Sequence, residues 1–158
     1  MKYLLILISF LAFSANAQKA DIGKVLDDWH KAAADVKFEA YFDAFAKDAV
    51  YIGTDAAENW KVNEFKAWAK PYFDKGTTWN FKAVERTIFL SPDGKLAWFD
   101  ELLDTQMKLC RGSGVLVKEN GKWKIAHYVL SMTVPNDNVD EVVRVKAMLE
   151  DAYLKRKS

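Results

Sequence analysis

The chain has few of the residue types that build covalent cross-links and metal sites. Its 158 residues include one cysteine, Cys110, and two histidines. A single cysteine excludes an intrachain disulfide, and this small set, which has no ligand spacing, excludes the usual zinc sites. Cys110 lies in a strand-like stretch, so we expect a buried small hydrophobic residue. A reactive thiol would need an open, electropositive setting.

Motifs for nucleotide binding and for a serine nucleophile are also missing. The chain has no Gly-x-Gly-x-x-Gly, no Gly-x-x-x-x-Gly-Lys and no Gly-x-Ser-x-Gly segment. The glycine-rich segment 111–114 precedes no helix, so it lacks the helix start that grips phosphate. The net charge of +1 argues against a nucleic-acid surface. We therefore expect neither a cofactor nor a nucleic-acid partner.

Residues 1–17 have the pattern of a signal peptide. Lys2 is a short positive region, residues 4–13 are apolar apart from one serine, and residues 15–17 form a small-x-small cleavage site. The apolar run is shorter than the ~20 residues that span a bilayer. This predicts an exported protein, periplasmic or extracellular, without membrane association after cleavage. An uncleaved N-terminal anchor is the alternative.

Hydrophobic periodicity predicts helices first and strands afterwards. Helical spacing predicts helices at 21–35, 37–47 and 62–72, with a short strand at 49–52. A period of two then predicts strands at 79–90, 96–109, 111–119 and 122–134, with turns at 91–94 and 120–121. Asn138 and Glu141 form the pattern of a capping box for a last helix. This order is α+β, with helices packed on one face of a curved sheet that encloses a pocket.

Four segments of the chain form a recognisable set of motifs: Gly53-Thr54-Asp55 with Glu58 and Trp60, Ala97 to Glu101, Arg111 to Leu116, and Trp123 to Tyr128. They resemble the SnoaL-like domain family of the nuclear transport factor 2-like superfamily. The resemblance covers about residues 22–135. It implies a cone-shaped fold with N-terminal helices on a curved antiparallel sheet. The predicted domains are a signal peptide at 1–17, a SnoaL-like domain at 18–135 and a C-terminal helical extension at 136–158.

The turn at 120–121 predicts the register of the last hairpin. Its two-residue loop would pair Gly114 with His127, and Gly112 with Val129. His127 would then face the core, and the glycines beside it would leave space for a ligand. The alternative is that the glycines mark a bend or bulge in a curved strand, and that His127 is a hydrogen-bonded core histidine.

Asp100 and Glu101 are adjacent in a predicted strand, so they point to opposite faces of the sheet. The inward carboxylate must be paired or protonated. Next to His127 it would form a general acid/base pair. The alternative is a structural ion pair with Arg86 or Arg111, and the sequence leaves open which carboxylate faces inward.

The chain is rich in aromatic residues, at 14% with six tryptophans, and such side chains line apolar pockets. The predicted ligand-binding residues are Tyr41, Glu58, Trp60, Trp79, Trp98, Arg111, Gly112 and Gly114. Glu58 could instead cap a turn at Thr54 or Asp55. We expect His30 to be solvated, because it lies off the apolar stripe of its helix.

The leading hypothesis is an exported binding module for a small apolar or aromatic molecule. One alternative is a lyase, isomerase or cyclase that uses no cofactor and abstracts a proton with His127 and Asp100 or Glu101. The superfamily that the chain resembles includes such enzymes as well as binding modules, so the resemblance alone does not choose. Another alternative is a structural dimerisation domain with a filled core.

An apolar outer face of the sheet would need a cover. The register at 120–121 assigns to that face Val115, Val117, Ala126, Tyr128 and Leu130. Relatives in the superfamily commonly dimerise sheet to sheet, so we expect a homodimer through this face. The last helix is the alternative cover.

Overall fold

The computed structural model describes the backbone of residues 2–158 and the side chains from residue 16 onward. Most of the predicted signal peptide therefore lies outside the residues whose side chains are described. The elements in chain order are α1 (Lys2–Ala34), α2 (Phe38–Asp43), β1 (Phe45–Ile52), β2 (Asn59–Lys61), α3 (Val62–Asp74), β3 (Lys82–Leu90), β4 (Leu96–Thr105), β5 (Lys108–Glu119), β6 (Lys122–Met132) and α4 (Val139–Lys157). Within residues 2–158, none of the helices has the length and apolar character that a membrane crossing requires.

One six-stranded sheet organises the molecule, in the order β2-β1-β6-β5-β4-β3. All neighbouring strands are antiparallel except β1 and β6, which run parallel. Helix α1 packs on the inner face through fully buried side chains at helical spacing, among them Ile22, Leu26 and Trp29. Helices and curved sheet together form the predicted α+β cone, and α4 is the extra C-terminal helix.

The second predicted helix is too long. Helix α2 ends at Asp43, and β1 already begins at Phe45. The carbonyl of Ala44 accepts the N–H of Ile125 at 2.9 Å, and Phe45 pairs with that same residue of β6. Because the edge of β6 offers backbone partners here, strand pairing overrides the helical spacing of the aromatic side chains.

The long strand predicted at 96–109 is two strands. β4 ends at Thr105 and β5 begins at Lys108, so the turn between them has two residues. The Thr105 hydroxyl accepts the N–H of Met107 at 2.9 Å and donates to the carbonyl of Lys108 at 2.8 Å. The turn contains neither glycine nor proline and places Lys108 at a φ of 68°, which is why its sequence carries no turn signal.

A bulge changes the register of the last hairpin. The turn at 120–121 forms as predicted, with positive φ at both residues. One step beyond the pair Leu116–Ile125, however, Val115 pairs with His127, so Ala126 is an extra residue in β6. A one-residue slip moves every following side chain to the other face of the sheet.

The slip reverses several predicted orientations. His127 lies on the outer face, whereas Tyr128 and Leu130 are buried on the inner face and do not belong to the outer surface. Gly114 pairs with Tyr128, and Gly112 pairs with Leu130. The predicted pairs Gly114–His127 and Gly112–Val129 are therefore wrong by one residue.

The C-terminal helix stands apart from the body. The predicted capping box is wrong, since the side chain of Asn138 caps nothing among the described residues. No residue of α4 is buried, and a hydrogen bond of 3.1 Å joins the hydroxyl of Tyr153 to the carbonyl of Ala56. A groove of about 1050 Å³ separates the helix from the ends of the strands.

Candidate functional site

A buried carboxylate holds the inner polar cluster of the cone together. Glu101, on β4, is 0% exposed. Its Oε1 lies 2.8 Å from Nε2 of His30 and accepts the hydroxyl of Tyr128 at 3.2 Å. Its Oε2 lies 2.9 Å from Nε of Arg86 and 2.8 Å from Nη2 of the same side chain. Both carboxylate oxygens are therefore satisfied.

The cluster joins α1 to three strands. His30 comes from α1, Arg86 from β3 and Tyr128 from β6. Arg86 also donates to Oδ1 of Asp27 at 2.7 Å and to the carbonyl of Gly23 at 3.2 Å, both on α1. The contacts fix how the helix sits across the sheet.

His30 is 5% exposed, so the prediction of a solvated His30 is wrong. The curved sheet covers more of α1 than the single apolar stripe indicates, because Trp29 faces β6 while His30 faces β4. Trp29 packs against Tyr128 at 4.7 Å between ring centroids, and His30 against Phe81 at 6.0 Å. A helix enclosed on two sides buries adjacent residues.

The cluster shifts the pKa values of its own groups. Burial alone would raise the pKa of Glu101, but the hydrogen bond and charge of His30 and the charge of Arg86 outweigh burial and hold that pKa below its ordinary 4.5. For Tyr128, burial first and the negative charge of Glu101 second raise the pKa well above its ordinary value. Tyr128 therefore remains a protonated donor to an ionised carboxylate.

The structure decides between the alternatives left open for the two carboxylates. Glu101 faces inward and pairs with Arg86, as the structural ion-pair interpretation predicts. Asp100 faces outward, 3.9 Å from Nη1 of Arg111. His127 also lies on the outer face, so the predicted acid/base pair of His127 with Glu101 does not form. Sequence reasoning missed Tyr128, which only the bulge brings inside.

The mouth of the cone contains a small aromatic cavity of about 160 Å³. Its lining residues are Tyr51, Gly53, Thr54, Glu58, Trp60, Phe65, Trp68, Trp79, Phe81, Gln106, Met107 and Leu130. Three of them, Glu58, Trp60 and Trp79, are among the predicted ligand-binding residues. Their role as ligand contacts remains a prediction.

Ring stacking builds the wall of this cavity. Phe65 of α3 stacks on Tyr51 of β1, with centroids 4.0 Å apart and planes 10° apart. Trp60 of β2 lies 5.6 Å from Phe65, and Trp79 lies 6.0 Å from it, both in nearly parallel planes. Rings stacked in this way support one another in the wall of the cavity.

Glu58 stands at the rim of the cavity in a tight turn. The N–H of Asp55 donates to Oε2 of Glu58 at 3.1 Å, and the N–H of Gly53 donates to the Glu58 carbonyl at 2.9 Å. The predicted capping of the turn at Asp55 is thus confirmed. A side chain at Gly53 would meet Cβ of Glu58 at 3.0 Å, so glycine is what allows the turn to close.

The other predicted ligand-binding residues lie elsewhere. Tyr41 is buried behind Trp79 and does not line the cavity. Trp98 is 44% exposed on the outer face, and Arg111 is exposed on the same face, so neither is a pocket wall. Gly112 and Gly114 are buried in β5, where they leave room for side chains of the core, not for a ligand.

One layer of rings separates the cavity from the polar cluster. Tyr51 lies between the cavity and Tyr128, with centroids 5.6 Å apart, and Phe81 lies between the cavity and His30. A molecule in the cavity would therefore meet aromatic rings before it met the carboxylate of Glu101.

Residues 22–135 match the model of the SnoaL-like domain family. The match spans well over half of the chain, so the protein belongs to this family, as the resemblance indicated. No curated protein matches the sequence significantly.

Solved structures share the fold at low sequence identity. A nuclear transport factor 2-like protein of unknown function from Pseudomonas putida KT2440 has a TM-score of 0.65 at 18% identity, covering 78% of this chain and 92% of its own. A candidate dehydratase from the nuclear transport factor 2-like family of Streptomyces avermitilis has a TM-score of 0.66 at 10% identity, and the match covers 77% of this chain and 99% of that one. A candidate aromatic ring hydroxylase from Novosphingobium aromaticivorans has a TM-score of 0.64 at 13% identity, and the match covers 75% of this chain and 91% of that one. At these identities the likeness is one of fold alone.

We predict that Glu101→Gln lowers the free energy of unfolding by about 3–5 kcal/mol, because it removes the buried counter-charge of the Arg86 guanidinium and leaves it the solvent-exposed carboxylate of Asp27. Asp100→Asn, at the exposed neighbouring position, should change it by less than about 0.5 kcal/mol. Urea unfolding followed by tryptophan fluorescence measures both free energies of unfolding.

Because the folded pKa of Glu101 is depressed, its ionisation stabilises the fold above about pH 4.5, and this contribution is lost as pH falls further. The difference in free energy of unfolding between the wild-type protein and Glu101→Gln should therefore become smaller below that pH. A difference that stays constant down to pH 3 would contradict an ionised Glu101 in the folded protein.

We predict that Gly112→Ala destabilises the fold by about 1–3 kcal/mol. A Cβ at Gly112 would overlap the hydroxyl of Tyr128 and would lie 2.9 Å from Oε1 of Glu101. The matched control is Gly23→Ala in α1, where the nearest atom is Ile88 Cδ1 at 3.9 Å. That change should stabilise the protein by about 0.5–1 kcal/mol, since alanine favours helix. Thermal unfolding by circular dichroism would show shifts of opposite sign, and equal shifts would contradict the crowding at Gly112.

Proposed function

We propose that the protein binds one small apolar or aromatic molecule in the cavity at the mouth of the cone. The aromatic lining of that cavity carries the proposal. Its volume of about 160 Å³ is close to the ~150 Å³ of an engineered apolar cavity that holds benzene. It is well below the roughly 300 Å³ at which sites for drug-sized ligands begin. The ligand is therefore about the size of a single ring.

A binding role fits the geometry better than proton abstraction does. The group with which an enzyme could act, the Glu101 carboxylate, is sealed and already bonded to three side chains. General acid/base catalysis needs the group within hydrogen-bond reach of the substrate. Two fold relatives carry the names of candidate enzymes, but in this chain Glu101 lies on the inner face of the sheet and His127 on the outer face. Asp100 shares the outer face with His127, where its carboxylate lies 3.9 Å from Nη1 of Arg111.

We further propose that this binding takes place outside the cytoplasm. The support is the signal-peptide pattern of residues 1–17, with its positive start, apolar run and small residues at the cleavage site. The periplasm and the external medium fit this pattern equally well.

We predict that benzene-sized aromatic compounds such as phenol and toluene raise the midpoint of thermal unfolding of the wild-type protein. At about 100 times its dissociation constant, such a ligand adds about 2.7 kcal/mol to the free energy of unfolding. Trp60→Ala should abolish the shift because it removes a wall of the cavity. The control is Tyr72→Ala, which removes an exposed ring of α3 that does not line the cavity and should leave the shift intact. Binding that survives in Trp60→Ala would place the ligand elsewhere.

We also propose that the outer face of the sheet forms a homodimer interface, as the resemblance implies. Cross-strand pairing places one row of side chains over five strands: Phe89, Trp98, Val115, His127 and Val50. Phe89 and Trp98 stack at 5.6 Å and are 41% and 44% exposed. Large apolar rings stacked in solvent on a sheet face are typical of an association surface.

We predict that Trp98→Asp converts a dimer into a monomer in sedimentation velocity experiments, because it places a charge in the apolar row. The comparison variant is Met148→Asp on α4, which changes an equally apolar but separate surface and should leave the dimer intact. Dissociation by Met148→Asp alone would assign the interface to the helix. A monomeric wild-type protein would contradict the proposal outright.

A further inference from the structure

We infer that the aromatic cavity selects a small organic cation, in particular one with a quaternary ammonium group. This inference rests on the proposed function, since it names the chemical class of the ligand at the same site. Four observations carry it: the sign of the charge in the lining, the hydrogen bonds and burial of the carboxylate that bears this charge, the chemistry of the walls and the size of the cavity.

The charge of the lining has one sign. Among the described residues that line the cavity, Glu58 is the one ionisable group with a charge at neutral pH, and no lysine or arginine is among them. An anion in the cavity would lie beside a carboxylate with no compensating cation, whereas a cation would be attracted to it.

Glu58 has a carboxylate oxygen available for this attraction. Oε2 accepts the N–H of Asp55, and Oε1 makes no hydrogen bond within the part of the chain that the structure describes. The side chain is half-buried, so water screens its charge less than it would on an open surface. Burial raises the pKa of the Tyr51 hydroxyl, and the negative charge of Glu58 raises it further, so this hydroxyl stays protonated in the wall of the cavity.

The walls suit a cation that cannot donate hydrogen bonds. Six of the twelve residues that line the cavity are aromatic: Tyr51, Trp60, Phe65, Trp68, Trp79 and Phe81. Aromatic side chains attract a quaternary ammonium group through their π-systems, and tryptophan does so best. A primary ammonium would need about three acceptors to replace its water, whereas a quaternary ammonium needs none and can be held by the rings.

The size of the cavity limits how large a substituent the ammonium group of the ligand can carry. About 160 Å³ accommodates a molecule near the size of benzene, which corresponds to a trimethylammonium group with a short side chain. A longer substituent would have to extend past Glu58 and Thr54 into solvent. Choline, with seven heavy atoms, is therefore an appropriate probe.

Isothermal titration calorimetry with three probes of the same shape tests the inference. The probes are choline, its neutral analogue 3,3-dimethylbutan-1-ol and the anionic 3,3-dimethylbutanoate. We expect choline to bind roughly tenfold more tightly than the neutral alcohol and the anion to bind least. Glu58→Gln keeps an acceptor for the N–H of Asp55 and should lower the preference for choline to about threefold, the part that the rings supply. Glu85→Gln, the same change of charge at an exposed position of β3, should leave the preference unchanged.

The outcomes separate this inference from the proposed function. If the alcohol or the small aromatic compounds bind in a manner that Trp60→Ala abolishes, while choline binds no better, the cavity is a neutral site and the inference is overturned but the proposed function stands. If no probe of any charge binds, both fail. If Glu85→Gln weakens choline as much as Glu58→Gln does, the preference arises from overall charge and not from the cavity, which also overturns the inference.

Discussion

The structure depends on one buried ion, the carboxylate of Glu101. It accepts from His30, Arg86 and Tyr128 at once, and through them it holds α1 against three strands. A buried charge is costly unless every one of its lone pairs has a partner, so the positions of these three side chains are tightly constrained. The glycine at 112 follows from the same constraint, because the phenol and the carboxylate occupy the space where its Cβ would stand.

The cavity and the polar cluster have separate tasks in this arrangement. The cluster lies deep in the cone and is saturated, so it supports the fold and offers nothing to a ligand. The cavity lies one ring nearer to solvent and is bounded by stacked aromatic side chains with a single carboxylate at its rim. In the function that we propose, a site of this kind would select its ligand by shape and by sign of charge.

Much of the architecture was predictable from local patterns. The order of helices and strands and the turn at 120–121 follow from periodicity and turn chemistry. The rule that a buried charge needs a partner predicts an ion pair of one carboxylate with Arg86 or Arg111, and the structure has Glu101 with Arg86. Trp60 and Trp79 were also predicted as pocket walls. Trp98 was predicted as a third wall and instead lies outside, since composition cannot tell which side of a strand faces the cone when both sides carry large apolar residues.

Local patterns in the sequence account for the α+β order and for the positions of most elements, because these depend on spacing between near neighbours in the chain, and the motif segments between residues 53 and 128 indicated the family. Tertiary structure alone decided which groups meet. The extra residue at Ala126 turns His127 outward and Tyr128 inward, and no glycine or proline marks it. Likewise β1 begins at Phe45 because β6 offers hydrogen-bond partners there, and His30 is buried because the sheet curves around α1. Each of these outcomes depends on surfaces that exist only after distant segments have packed together.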